Sequence, residues 1–273
     1  MDTTQFTRNG KFLMLALDHR GSFKKILNPT NEKGVTDEEM IEAKRQIIET
    51  MQDLFSGILI DTEYGLPAYK STKPYLLAIE KTGYKDENGE RITELEHSVA
   101  ELKGKGASGV KILLYFNPRL PSAMKQIETA KQVLTECVQY DLPLFLEIVT
   151  YDVPGKEGNK SADILSSVDM FLKNGVRPHV FKLEYPGDVE TCKKITAAAG
   201  ETPWILLTRG GKFDDFLSQL GDAVSQGAAG FLAGRSVWQE VGDYQGKERL
   251  SFLQTTAKDR FSRICKSVIQ NSI

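Results

Sequence analysis

The chain has 273 residues, 26% of them charged and 40% hydrophobic, and carries a formal net charge of −2. That length fits one large α/β domain or two small ones with a sizeable core. The charge lacks the basic excess of a nucleic-acid or membrane-surface binder, and no apolar run reaches the length of a membrane span.

Residues 1–11 are polar and lack the apolar centre of a signal peptide, so a cytoplasmic protein with no membrane or nucleic-acid partner is expected. Cys137, Cys192 and Cys265 are far apart and odd in number. They read as small reduced core residues. No CxxC or Cys/His cluster exists, so neither a metal nor a cofactor is expected.

Phe12-Leu13-Met14-Leu15-Ala16-Leu17 is a continuous apolar run suited to a strand buried on both faces. It ends abruptly in Asp18-His19-Arg20-Gly21. Thr36 before Asp37-Glu38-Glu39 is an N-cap signature with acids in the first turn, and helical periodicity follows to about Leu54. Gly57-Ile58-Leu59-Ile60 then runs into Asp61, and a weaker strand spans residues 75–79. A helix is expected over 94–103, a strand over 109–115 and a long amphipathic helix over 123–140. The fifth strand is Leu144 to Val149, and a helix opens near Ser161.

The sixth strand lies in His179-Val180-Phe181-Lys182-Leu183-Glu184-Tyr185-Pro186. Asp188 caps a helix to about Ala199, strand seven is Trp204-Ile205-Leu206-Leu207, and a helix covers 213–226. Strand eight is Gly230-Phe231-Leu232-Ala233, and a closing helix runs over 248–269. Eight buried strands alternating with helices at this length predict a single (β/α)₈ barrel over residues 1–273. An open doubly wound sheet would offer a glycine-rich turn after the first strand, where this chain has Asp18-His19-Arg20.

Such a barrel puts its chemistry at the C-terminal ends of its strands. Asp18, Arg20, Asp61, Lys111, Glu147 and Lys182 lie within or just after strands, and Lys111, Glu147 and Lys182 interrupt runs that should be nearly pure hydrophobe. One such residue alone reads as an edge-strand charge facing water. Three in strands four, five and six point to a shared mouth. Burial disfavours an ammonium, a second cation does so further, and a carboxylate can shuttle protons; together these are the parts of Schiff-base chemistry. The turns after strands seven and eight, Thr208-Arg209-Gly210-Gly211 and Gly234-Arg235, offer open backbone N–H groups and a guanidinium that suit phosphate.

Six segments carry a family resemblance: Asp61–Ala68, Glu80–Tyr84, Val110–Tyr115, Phe145–Asp152, Phe181–Glu184 and Gly230–Trp238. Over nearly the whole chain, and in the same order, they resemble the bacterial class I tagatose 1,6-bisphosphate aldolases. The last segment is also similar to the sulfofructose-phosphate aldolases. The resemblance implies a metal-free Schiff-base mechanism and reversible cleavage of a phosphorylated ketose to dihydroxyacetone phosphate and an aldehyde. It puts Lys182 on the Schiff-base lysine and Glu147 on the acid/base carboxylate. Asp18, Lys111 and Arg20 fall on active-site polar positions, and Thr208, Gly210, Gly234 and Arg235 on the phosphate-binding turns. The family tends to have Gln where this chain has His19 and a small residue where it has Arg209. The chain is also shorter after Asp152 and near Pro186.

Arg20, His19 and Arg209 are therefore candidates for gripping an anionic group at the far end of the sugar, whether phosphate or sulfonate. A strand-end histidine bonded to a neighbouring carboxylate accounts for His19 equally well. The rival readings are a sugar-phosphate isomerase or epimerase, and a non-catalytic sugar-phosphate sensor on an aldolase scaffold. Barrels of this kind often pair, which leaves a homo-oligomer open.

Overall fold

The computed structural model describes residues 1–270. Eight parallel strands form a closed barrel: β1 (Lys11–Leu17), β2 (Gly57–Ile60), β3 (Tyr75–Ala78), β4 (Gly109–Phe116), β5 (Leu144–Thr150), β6 (Val180–Leu183), β7 (Trp204–Leu207) and β8 (Gly230–Ala233). Closure is made by β1, which pairs with β2 through Met14 opposite Gly57 and with β8 through Phe12 opposite Gly230. The strands are apolar on both faces because one fills the barrel and the other meets the helices.

The barrel interior is plugged from below. Phe12, Leu76, Phe145, Val180 and Ile205 point inward, and Phe6 is inserted from a short 3₁₀ turn (Thr4–Phe6). The Phe6 and Phe12 rings meet Phe145 edge-on, with centroids 5.3 and 6.0 Å away. Side chains two residues apart on a strand share a face. Glu147 and Lys182 therefore stand one layer above Phe145 and Val180, and their backbones are directly opposite each other across β5 and β6. Lys111 and Leu113 face the same way from β4, where Leu113 is opposite Glu147. The sequence thus builds a dry aromatic floor with ionisable groups immediately over it.

Helix starts follow the expected signals. Thr36 and Glu39 form a capping box at the helix Asp37–Met51 and Asp188 caps Val189–Ala199, while the helix expected to open near Ser161 is Lys160–Lys173, capped by Asn159. Two expectations are corrected. The helix expected over 94–103 is only Val99–Gly104, opened by a Ser98–Glu101 capping box. The residues before it are held extended, in the hairpin Lys85–Glu87/Glu90–Ile92 and in a bridge between Glu80 and Leu95. The closing helix is interrupted by a π turn at Leu253–Ala257, between Gly246–Phe252 and Lys258–Gln270. A second hairpin pairs Thr7–Arg8 with the start of β1.

Cys137, Cys192 and Cys265 are buried and free, and burial pushes each thiol up to about 12. No helix among the described residues is long and apolar enough to cross a membrane.

Candidate active site

At the C-terminal ends of the strands lies a cavity of about 460 Å³, lined by groups from all but one of the strand ends. Its centre is a chain of five ionisable side chains. Lys111 Nζ donates to Glu80, lies 2.8 Å from Asp18 Oδ2 and stands 3.4 Å from Glu147 Oε2. Lys182 Nζ lies 2.8 Å from that same Glu147 oxygen. The oxygen has no aligned hydrogen bond, so its contacts with both ammonium groups are ion pairs at short range. All of these side chains except Asp18 are buried.

The electrostatics divide the roles. Burial alone would lower the Lys111 pKa, but Asp18, Glu80 and Glu147 outweigh it and hold that amine well above its ordinary value. Lys111 is a fixed cation. Burial also raises the Asp18 carboxyl, yet Lys111, His19 and Lys182 hold it far below the usual carboxylate range. Glu80 goes the other way: burial lifts its pKa, and Lys111 offsets only part of that. His19 is pushed down to about 3 by burial against the pull of Asp18, so its ring is neutral. That ring meets Trp238 edge-on at 5.2 Å.

The turns after β7 and β8 close the far wall. Arg209 and Gly210 both take left-handed backbone conformations (φ 47° and 76°), and the Gly211 N–H donates back to the Thr208 carbonyl at 3.1 Å. Thr208, Arg209, Gly234 and Arg235 line the cavity; Gly210 and Gly211 do not. They shape it instead. A Cβ at Gly210 would sit 3.3 Å from the Arg235 guanidinium carbon, so glycine lets the turn lie against that group. The Gly211 carbonyl accepts from Ser236 Oγ at 2.6 Å, which ties the two turns together. Arg235 Nε is buried without a hydrogen-bond partner.

Two expected anion binders are already engaged: Arg20 with Glu96 and the Glu80 carbonyl, Arg209 with Glu184. Both still line the cavity, as does His19. Asp61 does not. It lies outside the cavity, accepting from Lys44 and from the backbone N–H groups of Glu63, Tyr64 and Gly65. A carboxylate at a strand end can cap the following turn as readily as it can face the mouth, and here it caps.

Sequence reasoning missed three groups. Glu80 lies two residues past the end of β3 and carries the same strand-end signal as Asp18. Lys44 gave none, since one lysine in an amphipathic helix reads as a solvated charge. Arg91 is brought to the cavity by the hairpin after β3, whose Asn88-Gly89 turn has both residues at positive φ. An Asn-Gly pair between two short extended runs is the strongest local hairpin signal.

The family model of the DeoC/LacD family aldolases matches residues 12–240. The chain belongs to that family. The tagatose 1,6-diphosphate aldolase of Listeria monocytogenes is 29% identical, over 97% of this chain and 89% of its own. That of Staphylococcus epidermidis is 31% identical, over 85% and 82%. Among solved structures, a Schiff-base-forming fructose-1,6-bisphosphate aldolase superposes with TM-score 0.68 at 25% identity, covering 94% of this chain and 98% of that one. An archaeal fructose-1,6-bisphosphate aldolase, with its catalytic Lys bound to the carbinolamine intermediate, shares the fold at TM-score 0.71 and 24% identity, covering 95% and 99%. This family member is a class I aldolase, an enzyme of the lyase type.

Proposed function

We propose that the chain reversibly cleaves a phosphorylated ketose, such as tagatose 1,6-bisphosphate, to dihydroxyacetone phosphate and glyceraldehyde 3-phosphate, with Lys182 as the nucleophile. The observation that carries this is the Lys182–Glu147–Lys111 chain: an amine one carboxylate away from a fixed cation, over a dry floor, at the base of the cavity.

Glu147 takes a proton from the Lys182 ammonium, and the neutral amine adds to the C2 carbonyl. The adduct nitrogen passes one proton to the former carbonyl oxygen and Glu147 returns the other, so that oxygen leaves as water and gives an iminium. Breaking the C3–C4 bond sends its electron pair into the iminium, forming an enamine, while the C4 hydroxyl proton goes to Glu147 and the aldehyde departs. Protonation at C3 and addition of water release dihydroxyacetone phosphate and restore the amine. Lys111, held charged by Asp18, Glu80 and Glu147, stabilises negative charge on the reacting oxygen.

Arg235, with its unpartnered Nε, receives the C1 phosphate beside Thr208 and Gly234. Anchoring there makes the attack effectively intramolecular. The test is borohydride reduction in the presence of dihydroxyacetone phosphate, read by mass spectrometry, beside a cleavage screen of ketose phosphates that measures triose phosphate release. A reduced adduct on the Lys182 peptide and released triose phosphate are expected. Cleavage without any adduct would remove the imine from the mechanism.

A further inference from the structure

The cations facing the cavity are not equally occupied. Lys111, Lys182, Lys81, Arg20 and Arg209 each lie within salt-bridge distance of a carboxylate. Arg235 and Arg91 have no such partner among the described residues. Arg235 is accounted for at the β7 and β8 turns. Arg91 enters from the hairpin after β3, about half the barrel away from those turns.

Arg91 is held by rings rather than by charges. Its guanidinium carbon lies 4.8 Å from the centroids of both Tyr84 and Tyr151 and 5.4 Å from that of Tyr115. Tyr84 and Tyr115 themselves meet edge-on at 5.1 Å. The backbone is fixed as well, since the Arg91 N–H donates to the Tyr151 hydroxyl at 2.9 Å and the Arg91 carbonyl accepts from Gln126 at 3.1 Å. Aromatic faces orient a guanidinium without consuming its N–H donors, whereas a carboxylate would occupy them. A cation pre-positioned in this way, with its fork of donors unspent, suits a tetrahedral oxyanion that arrives with the substrate.

Taking the ketose-phosphate reading as given, we infer that Arg91 binds the second oxyanion of the substrate, the one on the carbon farthest from the Arg235 turn. Two cationic sites on opposite sides of one cavity, with the amine and its carboxylate between them, fit a ketose bearing an anion at each end. This also reassigns the far-end contact from Arg20 and Arg209, whose guanidinium groups are already paired with Glu96 and Glu184. Phosphate and sulfonate share the recognising chemistry.

The experiment compares wild type, Arg91→Met and Arg91→Lys on a ketose 1,6-bisphosphate, a ketose 1-phosphate and 6-deoxy-6-sulfofructose 1-phosphate. Adduct formation with dihydroxyacetone phosphate and borohydride is measured in parallel. Losing a charged hydrogen-bond partner lowers kcat/KM about 10- to 100-fold. That loss is expected for Arg91→Met on a doubly anionic substrate, with the 1-phosphate within about twofold of wild type. Arg91→Lys, which keeps the charge and loses the fork, is expected to fall between. The dianion with the larger loss identifies the native oxyanion. Equal losses on the 1-phosphate and the doubly charged substrates would make Arg91 structural and overturn the inference, as would no loss on either, even with the adduct intact. Absence of an adduct in wild type would sink the imine reading itself, and this inference with it.

Discussion

Of the three lysines the barrel buries, Lys44 and Lys182 make the sharpest contrast. Lys44, from the helix Asp37–Met51, is fully buried outside the cavity, and its ammonium donates to the Leu17 and His19 carbonyls at 2.8 Å each and to Asp61. All three of its protons are matched. Lys182 is 4% exposed and has one carboxylate, at 2.8 Å, and an open cavity in place of the rest. Burial pushes the Lys44 pKa down, with Asp61 pulling it back only part of the way, but that amine does not line the cavity. A buried amine becomes a nucleophile when its acceptors are few and there is space for a carbonyl beside it. One with a full set of acceptors is a structural pin, here fixing the segment that carries Asp18 and His19.

Lys182→Met should break that contrast most sharply. Turnover is expected to fall by at least about 10⁴-fold, since the acid/base and binding groups left behind have nothing to act on. The borohydride adduct with dihydroxyacetone phosphate should vanish. An unchanged adduct in that variant would move the nucleophile to another amine. Glu147→Gln keeps the shape of the site and removes its proton carrier, so kcat should drop about 10²- to 10⁴-fold. In that variant the adduct should still accumulate, slowly; full-rate formation would put the proton transfers on another group.

The barrel was legible in the sequence because eight short apolar runs recur between helical patterns, each ending in polar residues. The central cluster was legible for a related reason, in that Lys111, Glu147 and Lys182 violate the pattern of the strands that hold them. Connections were harder to read. The hairpin carrying Arg91 has short, mostly charged strands whose pairing rests on the Asn88-Gly89 turn, so hydrophobic periodicity is silent there. Asp61 and Asp18 both follow strands, and nothing in their neighbourhoods says which meets a helix lysine and which meets the cavity. That depends on Lys44, which donates to Asp61 and to the Leu17 and His19 carbonyls on either side of Asp18. Arg209 and Arg20 looked available because their partners, Glu184 and Glu96, come from other loops.

Lys44→Met tests the structural half of the contrast. It leaves Asp61 with its three backbone donors and no counter-charge, and two strand-end carbonyls with no partner. Stability should fall by about 3 kcal/mol, read from chemical denaturation. The borohydride adduct should still form on Lys182. Loss of the adduct in protein that is still folded would mean that Lys44 takes part in the chemistry.

The smallest effect should come from His19, which joins the two regions: its carbonyl accepts from Lys44 while its ring faces the cavity. Burial holds that ring's pKa at about 3 against an ordinary 6.5, with Arg235, Lys44 and Lys182 also opposing the imidazolium and Asp18 favouring it. As pH falls through 6.5 the unfolded chain takes up a proton there and the folded one does not. Stability should therefore drop on acidification through that window, with His19 contributing about 1.4 kcal/mol between pH 7.5 and 5.5. The Asp18 carboxyl, held low in the fold, acts in a separate range, since its contribution is complete above its ordinary pKa of 3.8 and is lost only below it. His19→Gln removes the titrating ring, so denaturation midpoints at the two pH values should move closer together than in wild type. His179, which burial also lowers, adds to the residual slope, and Glu80, which burial raises, opposes it. Equal slopes in the two proteins would mean that the His19 ring accepts its proton as readily in the fold as in the unfolded chain, and that the cavity wall beside Arg235 is far wetter than its packing against Trp238 implies.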